Sequence, residues 1–467
     1  METGRSLLSR LLVPSDRLDV SPAGMLRIDG HEAGALLRDF GSPLVVVAEE
    51  TLRANYRRIR DAFAANWPAA VNVMYATKAN STLAIRAVLS DEGAGGDCFG
   101  LGELHATTAG GTDPARVVMN GSNKGREEIA EAIRLGITIN VDGVDEIDMA
   151  GEIAAATGRE ARLNLRLKLM PEGLDGFSAA FFKTGGTIRE AVRRQKWGFT
   201  PEAASGLVAR ILARPGLRFR GYSVHLGRFS ADPAASAVVA AALGEAACRR
   251  HRETGAWPAM LDIGGGWPRQ REPESRAPEL NAFAIEEHAA AACTALRTAL
   301  APAGQAHPEL WLEPGRYIVG NASVLLATVG AVKHDAGLAW AHVDASTNDL
   351  MRIETSQSWY HVLPASRMDD PLDAELDLVG GTCIPSVIGA RRAMPGLRRG
   401  DVVAILDAGM YAEAISNQFN SIPRPASVLA GPAGVEVIRR RETIADVFAT
   451  HSIPGRLRRA AAGRARA

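Results

Sequence analysis

The chain reads as an α/β protein, a parallel (β/α)8 TIM-type barrel followed by an all-β domain that the N-terminal segment completes. Three observations predict this. Eight short apolar runs rich in branched residues recur between Val71 and Glu313, most of them followed by a stretch of helical spacing. Residues able to do chemistry fall at the ends of those runs, where a barrel assembles its site. Beyond Arg316 helical spacing becomes scarce, and strand-like runs are separated by Gly, Pro and Asp.

Taken in order, an extended segment at Leu44–Ala48 precedes the barrel runs Val71–Ala76, Asp97–Phe99, Val117–Asn120, Ile137–Asp142, Leu163–Leu167, Tyr222–His225, Met260–Ile263 and Leu310–Glu313. Between them Ser81–Leu89, Arg126–Leu135, Asp145–Ala156 and Ala234–Arg252 alternate apolar and polar residues as helices do. Lys78, Asn120, Arg166, His225, Gly264 and Glu313 stand at or just past the C-terminal ends of the runs. The stretch Met170 to Arg194, with Gly173, Gly176, Gly185 and Gly186, is longer than an ordinary barrel loop and is expected to form a lid or an insertion. The later runs, Ser323–Val332, Ala341–Ala345, Glu375–Val379, Val402–Leu406 and Ser427–Leu429, make the all-β domain. The expected divisions are 1–43, packing with the β domain, 44–316, the barrel, 317–453, the β domain, and 454–467, a disordered basic tail with five arginines among alanines.

A chain of 467 residues with 46% hydrophobic content has enough apolar side chain for a large core. Basic and acidic residues both number 53, so no net field favours nucleic acid or an acidic membrane, and a small molecule is the expected partner. The N-terminus lacks the apolar core of a signal peptide, and no run of eighteen apolar residues occurs, which predicts a soluble cytoplasmic protein. Cys98, Cys248, Cys293 and Cys383 are too scattered for a disulfide framework or a zinc site, so no metal is expected.

Ten short motifs follow one another along the chain. They are Tyr75-Ala76-Thr77-Lys78-Ala79-Asn80, Asp97 with Glu103, Gly121-Ser122-Asn123-Lys124, Lys196-Trp197-Gly198, Val224-His225-Leu226-Gly227, Asp262-Ile263-Gly264-Gly265-Gly266, Glu313-Pro314-Gly315-Arg316, Asp344-Ala345 through Asn348-Asp349-Leu350-Met351-Arg352, Cys383, and Asp407-Ala408-Gly409-Met410-Tyr411. In this order they resemble the pyridoxal-phosphate-dependent fold-type III decarboxylases, the family of diaminopimelate and ornithine decarboxylase, over nearly the whole chain.

The resemblance implies a cofactor, pyridoxal 5'-phosphate, and a role for each residue. Lys78 would carry the cofactor, a task that needs a primary amine able to lose its charge. Asp97 would lie beside it. Gly264, Gly265 and Gly266 offer backbone N–H groups unshielded by Cβ, as a phosphate requires, with Arg316 and Tyr411 serving the same region. Glu313 would face the pyridine nitrogen, His225 would stack on the ring and Arg166 would support it. Cys383 matches the residue that returns a proton to the carbon left by carbon dioxide, and in relatives it comes from a second subunit, which implies a homodimer with shared sites. Arg228 departs from the pattern, standing where relatives carry a small hydroxyl residue near the phosphate.

Arg352 matches an arginine that holds a distal carboxylate in diaminopimelate decarboxylases, with Arg316 and Tyr411 also expected at the substrate. Relatives follow the cysteine with an acid that reads a distal ammonium, whereas here Ile384-Pro385-Ser386-Val387 follows. An ammonium would lack its partner, so the expected substrate is an amino acid with an acidic or acylated side group, as in siderophore or antibiotic metabolism. The alternatives are diaminopimelate decarboxylation in lysine biosynthesis, an amino-acid racemase, and an inactive regulatory homologue.

Overall fold

The computed structural model describes residues 2–177, 186–225, 231–272 and 280–457. Eight parallel strands close into a barrel: Val71–Ala76, Gly95–Cys98, Val117–Met119, Thr138–Val141, Ala161–Leu167, Leu217–Val224, Met260–Asp262 and Glu309–Leu312. They are the first to eighth barrel strands below. The last returns to the first through Leu310 beside Val71 and Leu312 beside Val73. Each predicted run falls on one of these strands, with ends shifted by up to five residues.

Alternation along each strand divides the side chains into two sets. Val73, Val117, Ile139, Leu163, Leu165, Leu261 and Leu310 belong to the large core formed with the surrounding helices. Their strand neighbours Met74, Val118, Met260 and Trp311 form a separate small cluster that plugs the barrel interior. Gly95 leaves the space for it, because a Cβ there would collide with the Met74 sulfur. Two residues further along each strand the interior set turns polar, giving Asp97, Asn120, Asn140, Asn164, Asp262 and Glu313, all buried. An apolar floor therefore lies directly under a polar layer at the C-terminal mouth.

The outer helices include Glu49–Ala64, Leu83–Asp91, Arg126–Leu135, Val144–Thr157, Pro233–Thr254 and Ile285–Leu300. Their boundaries follow local chemistry. Glu127 and Glu128 lie in the first turn of Arg126–Leu135, favourable to the helix dipole, and Gly136 at φ 72° ends it. Asp232 accepts from the Ala234 N–H to cap the Pro233–Thr254 helix.

The second sheet is built around the 13-residue strand Ser323–Asp335, which pairs with Leu338–Val343, Val402–Ile405 and Leu44–Ala48. Leu44–Ala48 also pairs with Ala426–Gly431, so this segment, grouped with the barrel by the expected 44–316 boundary, belongs to the second sheet. Every one of its residues is buried, and an apolar run buried on both faces looks the same in either sheet. Three further strands went unrecognised in the sequence: Val362–Leu363, Val387–Met394 and Gly434–Arg439. The N-terminal helix Gly4–Leu11 and the small sheet Leu18–Val20, Leu26–Ile28, His31–Glu32 pack on this domain through Leu8, Leu11 and Leu26 against Leu326, Leu363 and Met368.

The expected lid is described only at its two ends. The turn Glu172–Gly176 and the helix Ile188–Arg193 are joined by Arg189 donating to Asp175 at 2.9 Å and by the Ile188 N–H to the Phe177 carbonyl at 3.0 Å. Gly185, Leu226, Gly227, Arg228 and the tail from Arg458 onward lie outside the described residues. Among the described residues no helix is long and apolar enough to cross a membrane.

Candidate active site

Lys78 sits in the single 3-10 turn Thr77–Ala79 that leaves the first barrel strand, at the parity that points inward. Its Nζ donates to Asp97 Oδ2 at 2.6 Å and lies 4.5 Å from the centre of the Phe99 ring. Burial alone would lower its pKa, but the pull of the neighbouring Asp97 carboxylate, with smaller effects from Tyr411 and Glu313, outweighs that and holds it above the ordinary lysine range. Asp97 is itself fully buried, and its other oxygen accepts from Asn120 Nδ2 at 2.8 Å.

Glu313 follows the eighth strand and accepts from the same Asn120 amide at 2.5 Å. Burial, with Asp262 and Asp97 close by, pushes its carboxyl well above the usual carboxylate range. Asp262, at the end of the seventh strand, is raised by burial to about 6 and accepts from the Gly264 N–H at 2.8 Å. Gly264 and Gly266 adopt φ of 70° and 89°, which glycine takes without strain. A Cβ at Gly264 would strike the Val224 carbonyl oxygen, and one at Gly265 the Glu313 carbonyl oxygen. The turn thus lies flat against its neighbours and keeps its upper surface as bare backbone.

His225 ends the sixth strand beside this turn, with its Nε2 3.4 Å from where a Gly265 Cβ would stand. Burial, assisted by Lys78 and Arg166, holds its pKa well below the ordinary value, so the imidazole is neutral at pH 7. Arg166 is buried on the fifth strand with its guanidinium 5.4 Å from the Trp197 ring centre. Gly198 at φ 80° lets that segment return along the strand, where the Phe199 N–H meets the Arg166 carbonyl at 2.8 Å.

The second domain closes the mouth. The Tyr411 N–H donates to the Ala79 carbonyl at 2.8 Å, one residue past Lys78, and Asn80 Nδ2 donates to Glu413 Oε2 at 3.0 Å. Arg352 is buried, with its guanidinium 5.7 Å from the Tyr411 ring centre. Arg316 donates to Glu272 at 3.2 Å. A cavity of about 310 Å3 lies between the domains, lined by Lys78, His225, Glu313, Arg316, Arg352 and Tyr411 among others. The fold therefore brings to one place six of the residues singled out in the sequence, with Asp97, Asp262 and the glycine turn at its floor.

Cys383 is not among them. It is exposed, on the loop between the Ala374–Val379 and Val387–Met394 strands, and its N–H donates to Asn420 Oδ1 at 3.0 Å. Asn140 and Asn164, whose amides continue the hydrogen-bond chain from Asn120, were missed. The signal was present, since a polar residue interrupts each of two apolar runs at the interior parity.

A model of the pyridoxal-dependent decarboxylase family, pyridoxal binding domain, matches residues 49–320. The chain belongs to the pyridoxal-dependent decarboxylases. It is 34% identical to a diaminopimelate decarboxylase of Methanothermobacter thermautotrophicus over 443 residues, covering 94% of this chain and 98% of the relative. The crystal structure of a diaminopimelate decarboxylase from M. jannaschii superposes with a TM-score of 0.85 at 28% identity, covering 94% and 98% of the two chains. A second structure of the M. jannaschii enzyme, in complex with L-lysine, gives 0.84 at 27%, covering 96% and 100%. The protein is an amino-acid decarboxylase that uses pyridoxal phosphate, on a barrel with an attached β domain. The residues present fit that cofactor. They supply an amine at a cavity wall, a turn that no side chain larger than hydrogen could line, a buried carboxyl opposite and an arginine nearby.

Proposed function

We propose that this enzyme decarboxylates diaminopimelate, the substrate named for its relatives. The observation that carries the reading is Arg352, a guanidinium only 2% exposed that lines the cavity beside Tyr411. A rigid fork of donors there suits a carboxylate at the far end of the substrate. Pyridoxal phosphate, when bound, supplies a sink for the electron pair that carbon dioxide leaves behind.

The chain's own residues then divide the work. Lys78 would hold the cofactor through its amine, with Asp97 keeping Nζ aimed. Gly264, Gly265 and Gly266 present N–H groups to the phosphate, with Arg316 and Tyr411 alongside. His225, being neutral, would support the ring face without placing a positive charge against it, and Arg166 would stand behind it. Glu313 would face the ring nitrogen of the bound cofactor and help it to hold a proton. Arg316, Arg352 and Tyr411 orient the substrate. In a homodimer, a Cys383 thiol reaching the site from the second subunit would return the proton to the substrate carbon.

A second reading rests on Ile384-Pro385, which supply no acid after Cys383 for a distal ammonium. It keeps the same chemistry with an acidic or acylated side group in place of the second amino-acid head. Purified enzyme offered diaminopimelate and a panel of N-acylated and dicarboxylic amino acids separates the two. Carbon dioxide release from diaminopimelate at the highest kcat/KM supports the first reading, and preference for an acylated or amine-free substrate replaces it with the second.

A further inference from the structure

Three asparagines stand at successive interior positions of the barrel, Asn120 just past the third strand, Asn140 on the fourth and Asn164 on the fifth. They are 2%, 1% and 0% exposed. Asn140 and Asn164 are direct register partners. Asn164 Nδ2 donates to Asn140 Oδ1 at 2.7 Å, Asn140 Nδ2 donates to Asn120 Oδ1 at 2.8 Å, and Asn120 Nδ2 donates to both Asp97 and Glu313.

The direction of this ladder is forced. Asp97, paired with Lys78, can only accept, so Asn120 must turn its NH2 towards it and its oxygen towards Asn140. Asn140 and Asn164 must follow suit. At the far end Asn164 Oδ1 has no hydrogen-bond partner among the described residues. Packing does not require such a layer, because the floor beneath it is filled by Met74, Val118, Met260 and Trp311. A buried amide with an unsatisfied oxygen costs stability. The aligned N–H groups instead converge on two carboxylates of the site.

We propose that Asn120, Asn140 and Asn164 form a positioning ladder that orients Asp97 and Glu313, and that Asn140 and Asn164 act on the site only through Asn120. The inference rests on the reading in which Glu313 faces the ring nitrogen of the cofactor. With the ladder intact, each carboxylate receives a donor held in place by the next amide. With a rung removed, Asn120 keeps its NH2 towards Asp97 but its oxygen loses the donor that fixes the plane of the amide, and the negative form of Glu313 loses support. The ionisable groups facing this point are Lys78, Asp97, Glu103, Arg166, His225, Asp262 and Tyr411, and all remain in place in the variants that test the idea.

The experiment uses full-length cofactor-loaded enzyme carrying Asn140→Leu, Asn164→Leu, both together, or Glu313→Gln. The visible absorbance of the lysine-bound cofactor is titrated with pH and compared with kcat and KM. Asn140→Leu is expected to move the spectral midpoint by about half a pH unit or more, and to lower kcat about tenfold while KM stays within about twofold. Asn164→Leu gives a smaller shift of the same sign. The double variant matches Asn140→Leu alone, since the outer rung has no other route to the site. Additive shifts, or a midpoint unmoved in both single variants while Glu313→Gln moves it, overturn the ladder. A midpoint unmoved by Glu313→Gln overturns the underlying reading of Glu313 instead. If Asn140→Leu does not fold, Asn164→Leu alone decides, because it leaves the Asn120–Asn140 bond intact.

Discussion

At the level of single residues, the site depends on charges held away from water. Arg352 is the clearest instance, because it lies on the cavity wall and the proposed task, gripping a distal carboxylate, is one that a point charge on a flexible stem performs poorly. Arg352→Lys keeps the sign and loses the fork, so KM for diaminopimelate is expected to rise about tenfold to a hundredfold, from roughly 1.5–3 kcal/mol of charged hydrogen bonding, with a smaller change in kcat. Steady-state kinetics check it, and an unchanged KM removes Arg352 from the substrate. The positions of Lys78, Glu313, His225 and the triple glycine could be read from the sequence because each stands at the end of an apolar run, whereas their roles came from the family resemblance of the motifs around them. Asn140 and Asn164 could have been read the same way. They were overlooked because an apolar-run reading ignores a polar interruption, although at the interior parity such a residue must find a partner.

Among elements, the decisive joint is between the barrel and the loop bearing Tyr411. Asp407, fully buried four residues before Tyr411, is bonded to Arg269 and, at 2.8 Å, to Arg271, which also reaches Asp16 of the N-terminal segment at 2.6 Å. Burial alone would raise the Asp407 carboxyl, but the two guanidinium groups lower it to about 2. Its folded-state pKa lies below the unfolded value of about 3.9. The stability it confers is therefore present above about pH 4 and is lost as pH falls through about 2. Asp407→Asn leaves two buried arginines short of charge and is expected to cost about 3–5 kcal/mol at neutral pH. Denaturant unfolding of the two proteins from pH 7 downwards should show that gap narrowing only below about pH 4. A gap that is constant with pH contradicts the ion-pair account. This joint was not legible in the sequence, since ionic partners 136 positions apart carry no local signature. Nor was the sheet that Leu44–Ala48 joins. The strands Val387–Met394, with Arg391 and Arg392, and Gly434–Arg439, with no buried residue, were missed because neither carries an apolar run.

For the whole molecule, the position of Cys383 matters most. One chain gathers the lysine, glycine turn, carboxyls and arginines at one mouth, yet leaves this thiol exposed and outside the lining of the cavity. If Cys383 serves the site of a second subunit, Lys78→Ala and Cys383→Ala variants, each nearly inactive, regain activity when unfolded together and refolded as a mixture. Random pairing makes half the dimers mixed, with one of two sites intact, so about a quarter of wild-type activity is expected. No recovery in a mixture shown to contain mixed dimers assigns the proton to another group.

The proposed bond between Lys78 and the cofactor is tested most directly by one measurement. Borohydride reduction of the cofactor-loaded enzyme, followed by peptide mass mapping, fixes the cofactor to whichever amine carries it. The account predicts the added mass on the peptide containing Lys78, and its loss in Lys78→Ala. Attachment at another lysine, or an unmodified Lys78 in fully loaded enzyme, contradicts it.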